Sequence, residues 1–335
     1  MTWWGTTRCR PVASRSGSLC WFSVWCGVWD VRRRSVLESI GPPLPRSLRR
    51  VQSYRSRNSG DNATITPGYS PSLRPDRAPG DLWTEAPDLC RCAGRLCRMV
   101  SEPAGLTYRP ADLPGPRPTV LVLPGGGYEE HGRPSSELLA EWFAGIGVHG
   151  VVLRYPVAPH RHPEPLDAAR AAFRWLRSGA APIDVDRARV GVVGSSAGGH
   201  LAACLANGID DPDDDRPAFC VLNYPVVSME HPTRTRPMRN LLGDAPSWRL
   251  RRELSMETRV DARTPPTFVW TTADDRIVRA THALAYVEAL VRNEVPVEFH
   301  LFPHGRHGLG TAVKEPHTSQ WTRLCENWLR YQRVL

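Results

Sequence analysis

The sequence predicts an α/β fold over residues 99–335, a mainly parallel sheet covered by helices on both faces. Three observations carry this. Strand-like and helix-like blocks alternate from residue 119 to the C-terminus, the pattern of βαβ units. These 237 residues are enough for one large buried core. Finally, Gly194-Ser195-Ser196-Ala197-Gly198 is a G-x-S-x-G placed between a buried apolar run and a helical block, where a sharp strand-to-helix elbow is expected.

Each element has its own signature. Thr119 to Leu123 is a short apolar run ending in Pro124-Gly125-Gly126-Gly127. Pro134 to Ile146 has helical spacing, with Leu138, Leu139, Trp142 and Phe143 expected on one side. His149 to Arg154 reads as the next strand and Leu166 to Leu176 as an Ala-rich amphipathic helix. Arg189 to Val193 is a strand leading into the elbow, and Ala197 to Ala206 a helix leaving it. Phe219–Tyr224, Thr267–Thr272 and Val297–Phe302 supply further strands, with helices near 279–292 and 317–331.

Residues 1–98 have another composition. They carry sixteen Arg against seven acids, six of the nine Cys and none of the eleven His, whereas 99–335 balances twenty-seven basic against twenty-seven acidic residues. The formal net charge of +9 thus belongs to the first segment. Neutrality of 99–335 argues against a nucleic-acid-binding surface there, and no apolar run in it approaches a membrane span. Leu19–Trp29 has the length of a signal-peptide apolar region but lacks a small-residue cleavage site. Gly41–Pro87, rich in Pro, Ser, Arg and Gly, reads as disordered, and the whole segment 1–98 is expected to be so. Cys90, Cys92 and Cys97 offer three thiols where a tetrahedral zinc site needs four ligands. The change of composition at Met99 motivates a reading in which 1–98 is upstream sequence translated in error, which N-terminal sequencing of the native protein decides.

The chemistry centres on Ser196. Its hydroxyl attacks an ester poorly unless a base takes the proton and donors receive the oxyanion. Gly125-Gly126-Gly127 follows a strand where this fold needs a donor loop, so Gly126 and Gly127 are the expected donors beside Ala197 N–H. The acid and base should follow in that order. Asp274-Asp275 stands just past strand 267–272, and His304 and His307 just past strand 297–302, where open α/β sheets build their sites. His307, flanked by a glycine, is the expected base and His304 the second choice. Residue type and position leave the two acids open.

The segments VLPGGGYEEHG, VLRYPVAP, PLDAARAAFRWLR, VGVVGSSAGGHLAA, TPPTFVWTTADDRIV and FPHGRHGLG resemble the acetylesterase branch of the α/β-hydrolase superfamily. That branch includes acetylxylan-esterase-like and feruloyl-esterase-like proteins and is related to prolyl-oligopeptidase catalytic domains. The resemblance covers about residues 106–332 and leaves out the first 98. It implies a three-layer α/β-hydrolase fold and selects Asp275, whose Asp275-Arg-Ile-Val278 matches the family's D-x-x-V. His307 falls on the G-x-H-G histidine and Ser196 on the elbow serine. Pro124 replaces the His of the lipase-type HGGG, and Arg279 stands where Pro often follows the Val. The implied activity is a serine carboxylesterase for short acyl esters, acetyl foremost, with acetylated carbohydrate a candidate substrate. A small serine peptidase is the alternative enzyme. Anion or nucleic-acid binding through the basic segment is the alternative of another class, and salt-dependent binding lost on removing 1–98 would mark it. No cofactor, metal, nucleic acid or membrane is expected, and the expected location is cytoplasmic, with export the alternative if 1–30 is a leader.

Other features read as structural. Asp210–Asp215 is a solvated acidic loop rather than a calcium site. His200 is a packing or capping residue; His131, His160 and His162 lack metal-ligand spacing; Cys204, Cys220 and Cys325 are reduced core thiols. Val226–Thr264, where this fold inserts a lid, is too short for a full cap domain, so a minimal lid and an open site are expected. Met229, Met238, Leu241, Leu242 and Trp248 are candidates to line that site, and Arg234, Arg236 and Arg239 to face a polar leaving group.

Overall fold

Alternation along the central strands sorts side chains into two cores. The computed structural model describes residues 89–92, 95–98, 101–132, 135–230 and 236–335. Two short strands, β1 (Leu89–Cys92) and β2 (Arg95–Arg98), pair antiparallel, so this end of the segment expected to be disordered has paired backbone. The expectations for residues 1–88 lie outside the described residues.

Seven strands form the main sheet: β3 (Leu106–Arg109), β4 (Arg117–Leu123), β5 (His149–Leu153), β6 (Val185–Ser195), β7 (Cys220–Asn223), β8 (Thr267–Thr272) and β9 (Val297–Phe302). Their order is β3-β5-β4-β6-β7-β8-β9, and only the edge strand β3 is antiparallel to its neighbour. In β4, Leu121 and Leu123 enter one core and Val120 and Val122 the other. In β8, Val269 joins the first while Phe268 and Trp270 join the second.

The helices complete the two outer layers. Leu166, Phe173 and Leu176 of α2 (Glu164–Ser178), Leu201 and Leu205 of α3 (Ala197–Ala206), and Tyr286 and Leu290 of α6 (Thr281–Arg292) pack in the first core. Leu139 and Phe143 of α1 (Ser135–Gly145), with Trp321, Trp328 and Leu329 of α7 (Gln320–Tyr331), fill the second. There Trp321 stacks on Trp270 with ring centroids 5.0 Å apart. The result is a three-layer α/β arrangement. No helix of the described residues is long and apolar enough to cross a membrane.

Between β7 and β8 the chain makes two short helices, α4 (Arg236–Leu242) and α5 (Trp248–Glu253), and one 3-10 turn at Met256–Thr258. Met229, Met238 and Leu241 turn into the first core, and Trp248 is exposed. The expectation that these residues and Leu242 line the site is therefore corrected, as it is for Arg239, while Arg234 lies outside the described residues. The apolar face of so short an excursion is needed to hold it to the body, and only Arg236 and Pro237 of α4 reach the cavity. The acidic loop is also more than solvated: Arg174 pairs with Asp211 and Asp213, Arg177 with Asp215, and Arg216 and Arg263 with Asp214.

Candidate active site

The sheet reverses its order at β4. From there the chain passes to β5 on one side, while β6 lies on the other, with Leu123 opposite Gly194. Chain segments leaving β4 and β6 therefore emerge side by side, the place where open α/β sheets form a crevice. The turn after β6 holds Ser196 at φ 55°, ψ −118°, a backbone region that costs an L-residue about 1–3 kcal/mol. This sharp reversal lifts the side chain off the sheet edge. It also presses α3 onto the end of β4, so that a Cβ at Gly198 would stand 2.1 Å from the Leu123 carbonyl oxygen.

The loops after β8 and β9 deliver the partners. His307 Nε2 lies 2.8 Å from Ser196 Oγ, and His307 Nδ1 lies 2.7 Å from Asp275 Oδ2. A carboxylate oxygen accepts, which assigns the ring proton to Nδ1 and leaves Nε2 to accept the serine proton. Asp275 is 4% exposed, and its Oδ1 accepts N–H bonds from Ile277 at 2.8 Å and Val278 at 3.0 Å. Neighbouring Asp274 is exposed, accepting instead from Gly305 N at 2.8 Å and lying 3.2 Å from His304 Nδ1. The rings of Tyr224 and His307 meet in a T-shaped contact, with centroids 5.1 Å apart. Tyr224 in turn accepts Gly310 N–H through its hydroxyl at 3.1 Å.

The glycine turn faces this row. Gly126 sits at φ +129°, and a Cβ there would stand 2.0 Å from the Glu130 carbonyl oxygen; only glycine fits. The turn is closed by Glu129 N and Glu130 N donating to Gly126 O, and by Gly132 N donating to Gly125 O. From the lid, Asn240 Nδ2 donates to Gly127 O at 2.9 Å, and Arg236 pairs with Glu129. Ala197 opens α3, so its N–H belongs to the first-turn donors that have no partner within the helix. Ser196, His307 and the three glycines line one cavity of about 930 Å³.

A family model described as the alpha/beta hydrolase fold matches residues 120–310. The chain belongs to the alpha/beta hydrolase fold family. Ser196, Asp275 and His307 all fall inside the matched span. The chain is 31% identical over 219 residues to endo-1,4-beta-xylanase B of Butyrivibrio fibrisolvens, covering 62% of this chain and 34% of that protein. It is 28% identical over 217 residues to an acetylxylan esterase of Xylanibacter ruminicola, covering 63% and 45%. It thus spans between a third and a half of the length of these curated relatives. Among solved structures, the acetyl ester-xyloside bifunctional hydrolase of Caldicellulosiruptor lactoaceticus superposes with a TM-score of 0.65 and 38% identity, covering 69% of this chain and 88% of that one.

In this alpha/beta hydrolase fold one buried link was not legible beforehand. His200, on α3 one turn after Ser196, is fully buried; its Nε2 lies 2.8 Å from the Leu254 carbonyl and its Nδ1 2.8 Å from Tyr128 Oη. A carbonyl only accepts, so Nε2 carries the proton and Tyr128 donates to Nδ1. The ring thereby ties the glycine turn, the elbow helix and the end of the lid together. His200 thus packs, as expected, and bonds the carbonyl of Leu254, the residue that caps the C-terminus of α5.

Burial lowers its pKa from 6.5 to about 4. Between those values the unfolded chain binds the extra proton, so stability falls as pH drops from 6.5 toward 4, by about 3 kcal/mol from this group. His149 and His162 are lowered by burial as well. Urea unfolding at pH 7 and 4.5 should therefore show a smaller loss of stability in His200→Gln than in the wild type. An identical loss in both would remove His200 from the account.

Proposed function

We propose that this chain is a serine carboxylesterase that cleaves short acyl esters, acetyl esters foremost, with acetylated carbohydrate as a substrate. The observation that carries the reading is the unbroken sequence Asp275–His307–Ser196 beside the glycine turn. Ser196 Oγ attacks the acyl carbon while His307 Nε2 takes its proton, and Asp275 stabilises the imidazolium that forms. The carbonyl oxygen, now negative, is received by N–H groups of Gly126, Gly127 and Ala197, each such donor worth about 10²–10³ in rate. His307 then protonates the departing alcohol, leaving Ser196 acylated. A water, deprotonated by His307, releases the acid and restores the serine. The names of the acetylxylan esterase and acetyl ester-xyloside hydrolase relatives support the acyl group and the saccharide.

A p-nitrophenyl ester series from acetate to octanoate tests this. The expected result is the highest kcat/KM at acetate or propionate, with about a tenfold fall by octanoate. A maximum at octanoate would overturn the short-acyl reading, and faster cleavage of an aminoacyl-prolyl arylamide would favour a peptidase.

A further inference from the structure

The proposed chemistry orients its substrate. The alcohol oxygen takes its proton from His307 Nε2, so the alcohol part lies on the His307 side and the acyl oxygen on the glycine side. The residues flanking His307 therefore form the surroundings of the alcohol. Two arginines hold those places: Arg306 precedes the histidine, and Arg276 follows Asp275. Both are exposed, and both line the 930 Å³ cavity together with an adjoining crevice of about 290 Å³.

Three carboxylates nearby are engaged elsewhere. Asp275 is bound to His307, Asp274 to Gly305 N–H and His304, and Glu129 to Arg236. Arg306 makes one hydrogen bond, from Nη1 to the His307 carbonyl at 3.1 Å. Among the described residues neither Arg276 nor Arg306 joins an ion pair with a carboxylate. Lys314 and Glu315 also line the cavity and together add no net charge, and the same holds for Glu130 and Arg236 at the glycine turn. The alcohol side thus presents two guanidinium groups, whose planar forks match a carboxylate better than a neutral hydroxyl.

We propose that Arg276 and Arg306 form a cationic subsite for the alcohol part, and that preferred substrates are acetyl esters of alcohols bearing a carboxylate, as an O-acetylated uronic-acid unit does. This rests on the esterase reading above. The test compares acetate release from mono-O-acetyl methyl glucuronoside and mono-O-acetyl methyl glucoside, which differ in one carboxylate. Wild type should favour the glucuronoside about tenfold in kcat/KM at low salt, mostly through KM. The preference should shrink to about twofold in about 0.5 M NaCl, because exposed charges are screened. Arg276→Gln with Arg306→Gln should abolish it while keeping p-nitrophenyl acetate turnover within about twofold, and the double Lys variant should keep most of it.

Equal kcat/KM for the two saccharides in wild type, or a preference indifferent to salt, overturns the subsite even if the Gln variant is inactive. So does a preference that survives in an active Gln variant. If p-nitrophenyl acetate is turned over but the saccharide ratio is one, the subsite alone fails. If no acetyl ester is cleaved, the esterase reading fails and the subsite with it.

Discussion

Ser196→Ala is expected to lower kcat for p-nitrophenyl acetate by at least about 10⁴-fold. The substitution deletes the one oxygen placed 2.8 Å from His307 Nε2 and keeps the Cβ that the elbow already accommodates. Its φ of 55° strains alanine much as it strains serine, so the urea midpoint should stay close to wild type. Ser195 cannot take over. Its hydroxyl accepts from Asn223 Nδ2 at 3.1 Å, and an amide is no base. Residual hydrolysis should come from the glycine turn and substrate binding alone, as happens when a nucleophile is removed from a preorganised site. Labelling by a fluorophosphonate should disappear in the same variant. Undiminished turnover would refute the nucleophile and with it the esterase reading.

What could be read in advance follows from where local pattern is strong. The elbow helix 197–206 and the strands 267–272 and 297–302 have the boundaries that the sequence pattern indicates: the first two are mainly apolar, the third alternates apolar Val297, Phe299 and Leu301 with Glu298 and His300 before Pro303. The edge strand β3, Leu106–Arg109, has no such signature: its four residues are all half-buried and form no apolar run. Leu138 shares the helical spacing of the buried face of α1, yet it is 48% exposed and borders the cavity; a helical period gives a face some 100° wide but not its limits. The tie between Tyr128 and His200 spans 72 positions. No spacing rule reaches that far, since the contact exists only because β4 and β6 are neighbours. The choice between Asp274 and Asp275 is of the same kind. Adjacent acids look alike in sequence, and a resemblance was needed to prefer one.

In space the two acids differ by what holds them, and this sets the second large effect. Asp275→Asn is expected to lower kcat about 10³- to 10⁴-fold with little change in KM. Oδ1 of Asp275 accepts two backbone N–H groups, from Ile277 and Val278. An asparagine must keep its carbonyl oxygen there, because turning its NH₂ toward those donors would leave a buried site with donors facing donors. The NH₂ then faces His307 Nδ1, which can only accept from it, and the ring proton moves to Nε2. A ring protonated at Nε2 cannot take the serine proton. Geometry is thus kept and the tautomer reversed, so the loss should appear in the chemical step while Ser196 stays in place. Asp274→Asn is the control. That carboxylate is exposed and holds only Gly305 N–H and His304, so its loss should change kcat by less than about threefold. Equal losses in the two variants, measured with p-nitrophenyl acetate at pH 7.5, would mean that the acid has been assigned to the wrong carboxylate or to neither.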